Sequence, residues 1–221
     1  MARLPVIAQC PSPNFGPRRD GQTPELIVIH YTAMDSAQAA IDWLCNPEAE
    51  VSAHYVIGAD GTITQLVVEE MRAWHAGVGI WQGREDVNSR SIGIELSNKG
   101  DHPFAAAQMD ALEVLLAGIM ARWSIGPEGV IGHSDMSPGR KIDPGPKFDW
   151  RRLALQGLAV WPDAQDADSS WEENAAGFGY DLDNPSCFAA FRARFRPWAD
   201  GECDAEDARI AARLVALTSK D

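Results

Sequence analysis

Three short apolar runs set the terms on which this chain can fold. ELIVIHY (25–31), SIGIELSN (91–98) and GVIGH (129–133) are too brief for independent helices and rich in isoleucine and valine, so they read as buried strands. In the second run the isoleucines alternate. HYVIGADGTITQLV (54–67) places Asp60-Gly61 between two further apolar runs, the signature of a hairpin. Helical patterns lie between the strands. The helix SAQAAIDWLC follows Asp35, which reads as its N-cap, with Gln38 three residues on completing a capping box, and it stops near Asn46-Pro47. From Ala105 to Trp123, Met109, Leu112, Leu116, Ile119 and Trp123 recur at spacings of three and four, a long amphipathic helix. DWRRLALQGL (149–158) reads as a last short helix. Interleaved strands and helices with a hairpin give an α/β (α+β) fold, a mixed central β-sheet flanked by helices.

The composition shifts after Trp161. PDAQDADSSWEENAAG is polar and acidic, so the chain divides into a domain over 1–162, a linker over 163–175 and a small helical module over 176–221. In the module, Phe188, Phe191 and Phe195 share one helical face, and Ile210, Leu214 and Leu217 share another. WEENAAGFGY has few apolar positions and reads as an eroded helix. Residues 11–24 read as an irregular lead-in.

The formal net charge of −13 argues against a nucleic-acid partner, which would demand basic patches, and against adhesion to anionic membranes. Cys10, Cys45, Cys187 and Cys203 form no C-x-x-C pair and read as reduced thiols of a cytosolic protein. Near the N-terminus, LPVIA is too short for a signal-peptide core. VIAQC has a glutamine where a lipoprotein signal wants a small residue. No run of about 18 apolar residues exists. A cytoplasmic monomer without a membrane span is therefore expected, or an envelope protein if a leader has been removed.

Of five histidines, at 30, 54, 75, 102 and 133, two close predicted strands: His30 ends ELIVIH and His133 ends GVIGH. Strand ends are where sheets present functional groups. An imidazole there needs a partner, and a metal is one, although a single such histidine is ordinarily structural. Asp143 follows His133 by ten residues, in a loop stiffened by Pro138, Pro144 and Pro146. Two imidazoles and one carboxylate form a zinc set that leaves a fourth position open to water. The spacing matches neither H-E-x-x-H nor any two-cysteine finger.

The blocks IVIHYTA, SAHYVI, RAWHAG, SIGIEL and HSDMSPGRKIDPGPKFDW, in that order over roughly residues 20–162, resemble the zinc-dependent N-acetylmuramoyl-L-alanine amidases of the AmpD/AmiD type, relatives of peptidoglycan recognition proteins and phage T7 lysozyme. HYTA and the tail, which is similar to a peptidoglycan-binding helical module, favour the AmiD branch. The resemblance implies a Zn2+ cofactor on His30, His133 and Asp143. It also implies peptidoglycan fragments (muropeptides) or peptidoglycan as partner, and cleavage between the muramic acid and L-alanine. It maps the catalytic carboxylate to Glu95, whose place on an apolar strand is otherwise costly, and a catalytic lysine to Lys141, suited to an oxyanion. Tyr31, Trp74, His75 and Asn88 fall where the family's groove contacts substrate, with Arg84 nearby. Tyr31 stands where AmpD-branch members carry asparagine, and Asp86 where they carry arginine. His54 reads as structural support and His102 as a surface loop residue. Two alternatives stay open. One is a non-catalytic peptidoglycan receptor, a kind of relative that loses a zinc ligand. The other is a secreted or phage-type lysin acting on intact wall.

Overall fold

A computed structural model describes residues 7–162 and 170–218. The strands are β1 (Ile7–Gln9), β2 (Phe15–Gly16), β3 (Leu26–Tyr31), β4 (Tyr55–Ile57), β5 (Ile63–Gln65), β6 (Arg72–Ala73), β7 (Ser91–Leu96) and β8 (Val130–Gly132). The helices are α1 (Ala37–Leu44), α2 (Val87–Arg90), α3 (Ala106–Trp123), α4 (His133–Met136), α5 (Trp150–Leu155), α6 (Trp171–Phe178), α7 (Cys187–Phe195) and α8 (Ala205–Thr218). Six strands form one sheet in the order β1-β5-β4-β7-β3-β8, and β2 pairs with β6 apart from it. The sheet is mixed: β3 runs parallel to β7 and β8, while β4 and β5 form the antiparallel hairpin turned at Asp60-Gly61. Gly61 takes φ +85°, a conformation glycine adopts without strain. No helix among the described residues is long and apolar enough to cross a membrane.

Register decides where the chemistry sits. His30 lies beside Glu95 on β7, and Ile29 lies beside Gly132, the last residue of β8, so His133 opens α4 directly past the strand end. Side chains alternate along a strand. Ile27, Ile29, Ile92, Ile94 and Leu96 therefore pack into one apolar cluster with Met109, Leu112, Leu116 and Ile119 of α3. Their neighbours His30 and Glu95 are turned to the other side.

The local details depart from the sequence expectation in three places. The N-cap of α1 is Ser36, whose hydroxyl accepts from the Ala39 amide at 3.1 Å, while Asp35 pairs with Lys99. Asp35 sits one residue too early to reach the open amides of the first turn. The lead-in is not wholly irregular: β1 adds in parallel to the edge strand β5, and Phe15–Gly16 pairs with Arg72–Ala73. Helix α6 begins inside the stretch read as linker, of which 163–169 lie outside the described residues. A Ser170–Glu173 capping box starts it, and Trp171, Ala175 and Phe178 bury one face.

The C-terminal helices do not keep a core to themselves. Trp171, Phe178, Tyr180, Phe191, Phe195, Ile210 and Leu214 join Leu26, Val28, Trp81, Ile131 and Met136 in one continuous cluster. Leu217, expected on the apolar face of α8, is exposed. Trp81 is fully buried, with its ring edge-on to Phe178 and Tyr180.

Candidate active site

His30, His133 and Asp143 meet. The Nδ1 atoms of the two imidazoles are 2.9 Å apart, and Asp143 Oδ2 lies 2.9 Å from the first and 3.0 Å from the second. All three residues are buried. The outer nitrogens show what these atoms carry. His133 Nε2 lies 2.9 Å from the Ala76 carbonyl and 3.3 Å from Arg140 Nη2; the carbonyl, the nearer of the two, can only accept, so the proton sits on Nε2. His30 Nε2 lies 3.0 Å from His75 Nδ1. His75 Nε2 in turn lies 3.2 Å from Ser91 Oγ, whose own proton goes to the Val87 carbonyl at 2.6 Å. Ser91 must therefore accept from His75, and His75 must accept from His30. The neutral rings thus aim two lone pairs at each other and at a carboxylate, across about 3 Å. That triangle repels itself until a cation fills it, and it is small enough for one ion to reach all three atoms at zinc's ordinary distances of about 2.0–2.2 Å. The donor set fits zinc.

Titration follows from burial. Desolvation, then the neighbouring His133, pushes His30 down to about 4. Burial raises the Asp143 carboxyl, but its close contacts with the His133 and His30 rings outweigh it and hold the group below the usual carboxylate range. Glu95 goes the other way: burial, then repulsion by Asp143, pushes it up to about 8, against the pull of Lys141. Its Oε2 is buried and has no hydrogen-bond partner among the described residues. A buried carboxyl oxygen of this kind beside the His30, His133 and Asp143 cluster is expensive and calls for a reaction to explain it.

These groups open on a groove of about 520 Å³. Tyr31, Trp74 and Lys141, expected at the site, line it together with the ligands and Glu95. His75 and Asn88 are placed differently from the substrate contacts expected of them. His75 borders the groove, but both its ring nitrogens are committed, to His30 and Ser91. Its ring lies on Gly93, where any Cβ would stand 2.4 Å from the imidazole. Asn88 is buried below the groove and its Oδ1 accepts from the His75 and Ala76 amides at 3.0 and 2.8 Å. A short amide that can bridge two backbone donors is worth more there than at the surface. Arg84 points away, to Glu25 and Gln22. His54 is structural as expected: its Nδ1 accepts from the Gly93 amide at 2.9 Å and its Nε2 meets the Met71 carbonyl at 3.1 Å. His102 is exposed beside Asp101.

Three contributors escaped the sequence reading. Trp43 lines the groove from α1 and is 49% exposed, a tryptophan on the open side of an amphipathic helix. Arg140 ties the loop that carries Asp143 to the opposite bank, donating to the Ala76 and Val78 carbonyls at 2.6 Å each. Arg18 donates to the carbonyls of Glu69, Ser89 and Ser91, pinning the strands under His75.

The family profile described as N-acetylmuramoyl-L-alanine amidase matches residues 20–146. The chain belongs to this amidase family. The N-acetylmuramoyl-L-alanine amidase AmiD of Escherichia coli is 38% identical over 89% of this chain and 84% of its own length. The 1,6-anhydro-N-acetylmuramyl-L-alanine amidase AmpD of Haemophilus influenzae is 41% identical over 65% of this chain and 88% of its own length. Among solved structures, E. coli AmiD in complex with the substrate anhydro-N-acetylmuramic acid-L-Ala-D-gamma-Glu-L-Lys superposes with a TM-score of 0.81 and 37% identity, over 92% of this chain and 93% of that one.

Proposed function

We propose that this amidase holds a zinc ion on His30, His133 and Asp143 and hydrolyses the amide between N-acetylmuramic acid, or its 1,6-anhydro form, and the L-alanine of the stem peptide. What carries the reading is the convergence of three lone-pair donors 2.9–3.0 Å apart, with the unpartnered carboxyl of Glu95 in the same row of the sheet. Bound there, zinc supplies Lewis acidity to the scissile carbonyl and lowers the pKa of water.

The side chains do the rest. Glu95 takes the proton of the attacking water and returns it to the alanine nitrogen as the C–N bond breaks. Lys141, on the groove wall, offers its ammonium to the oxyanion. Trp43, Trp74 and Tyr31 offer aromatic faces to the sugar and peptide. The complex of E. coli AmiD with an anhydromuramyl tripeptide supports this substrate class. The test is mass spectrometry of products from defined muropeptides, with and without a chelator. Cleavage between the lactyl group and L-alanine, abolished by chelation and restored by zinc, is expected. Cleavage that survives exhaustive chelation sinks the reading.

A further inference from the structure

Two of the three ligands, with Lys141, come from one stretch, 133–143, and the C-terminal helices hold that stretch from behind. Asp135 is its hidden anchor. It is 1% exposed, and its Oδ2 accepts from the Gly132 amide at 2.7 Å, fixing the turn out of which His133 emerges. Both remaining partners of that carboxylate come from the tail. The Tyr180 hydroxyl donates to Oδ1 at 2.6 Å, and the Arg194 guanidinium pairs with Oδ2 while also reaching the Val130 carbonyl at 3.1 Å. Arg194 lies over the Trp150 ring at 4.0 Å and is itself 3% exposed. Farther along the same stretch, Asn184 donates to the Pro138 carbonyl at 3.0 Å, and Ser186 packs so tightly on Gly139 that a Cβ there would stand 2.6 Å from its hydroxyl oxygen. On the facing bank, the Gln82 amide donates to the Gly179 carbonyl at 2.9 Å.

We propose that the C-terminal helices are a built-in brace of the metal loop, with Tyr180 and Arg194 as positioning residues that act on His133 through Asp135. A buried carboxylate stripped of its counter-charge must be resolvated or must move. Asp135 stands two residues from a ligand, so its movement is the ligand's movement. A detachable wall-binding appendage would need none of these contacts, since a surface module requires only a linker. The brace rests on the reading of His30, His133 and Asp143 as a metal site.

The experiment compares the full-length protein with Tyr180→Phe, Arg194→Met and, as a control, Ile210→Ala, which thins the same apolar cluster from α8 without touching Asp135. Zinc affinity is measured by competition with a chromophoric chelator, ligand geometry by the visible spectrum of the cobalt(II) form, and turnover by kcat and KM on an anhydromuramyl tripeptide. Tyr180→Phe is expected to weaken zinc roughly tenfold, to alter the cobalt bands and to lower kcat at unchanged KM. Ile210→Ala is expected to lower the melting temperature alone. The brace is overturned if the Tyr180 and Arg194 variants melt earlier yet keep zinc affinity within about twofold and an unchanged cobalt spectrum. Should Arg194→Met fail to fold, Tyr180→Phe, which removes one oxygen from a buried ring, decides by itself. A wild-type protein that binds no zinc overturns the metal reading instead, so the two failures are told apart.

Discussion

On strand β3, Ile29 and His30 are chain neighbours on opposite sides of the sheet, and the two sides are built to different ends. The side of Ile29 and Ile94 packs its apolar side chains against Met109, Leu112, Leu116 and Ile119 of α3. The side of His30 and Glu95 carries two ring nitrogens that face each other and a carboxyl oxygen with no hydrogen bond. One face makes the protein stable, and the other spends part of that stability on preorganised charge. A property that switches from residue to residue along one strand makes the contrast testable by substitutions a single position apart.

The largest expected effect is on the chemical face. Glu95→Ala should retain its zinc, by metal analysis, and lose roughly 10³-fold in kcat. Near-normal turnover would erase the distinction between the faces. Next comes His75→Phe, which keeps a ring over Gly93 but removes the acceptor that fixes the His30 tautomer. Zinc should bind about 10-fold more weakly in a chelator competition. On the other face, Ile94→Val should cost about 1 kcal/mol in urea unfolding and leave kcat unchanged. A drop in kcat there would mean the faces are mechanically linked.

The smallest effect is a pH signature of the metal-free protein. Folded Glu95 holds its proton up to about 8, against 4.5 ordinarily, so stability should fall as pH rises through that window. Folded His30 stays neutral down to about 4, against 6.5, so stability should also fall as pH drops below 6.5. Glu95→Gln should flatten the alkaline limb of melting temperature against pH by a few degrees and leave the acid limb in place.

The same contrast explains what could be read from the sequence. The apolar face announces itself: the alternating isoleucines of β7, the Asp60-Gly61 hairpin and the spacing of α3 are local patterns, and each found its element. The histidines at strand ends were legible because they interrupt such a pattern. The resemblance to the amidases supplied their grouping with Asp143. Asn88, Arg18 and Arg140 were not legible in role, because each acts by bonding backbone groups far away in sequence, and a side chain's spacing carries no record of that. Helix α6, read as eroded and in part as linker, was underrated for a related reason. Its apolar side is only Trp171, Ala175 and Phe178, too sparse to look buried until the face of Trp81 and Tyr180 is there to cover it.

Because His30 and Glu95 stand in one row of two parallel strands, with His133 just beyond the end of a third, the site has a reading frame. The connections between these strands can lengthen or shorten at modest entropic expense. An insertion of a single residue within β3 or β7 is another matter. It would turn the ligand or the acid into the packing against α3 and bring an isoleucine to the groove, silencing the enzyme without unfolding the rest of the chain.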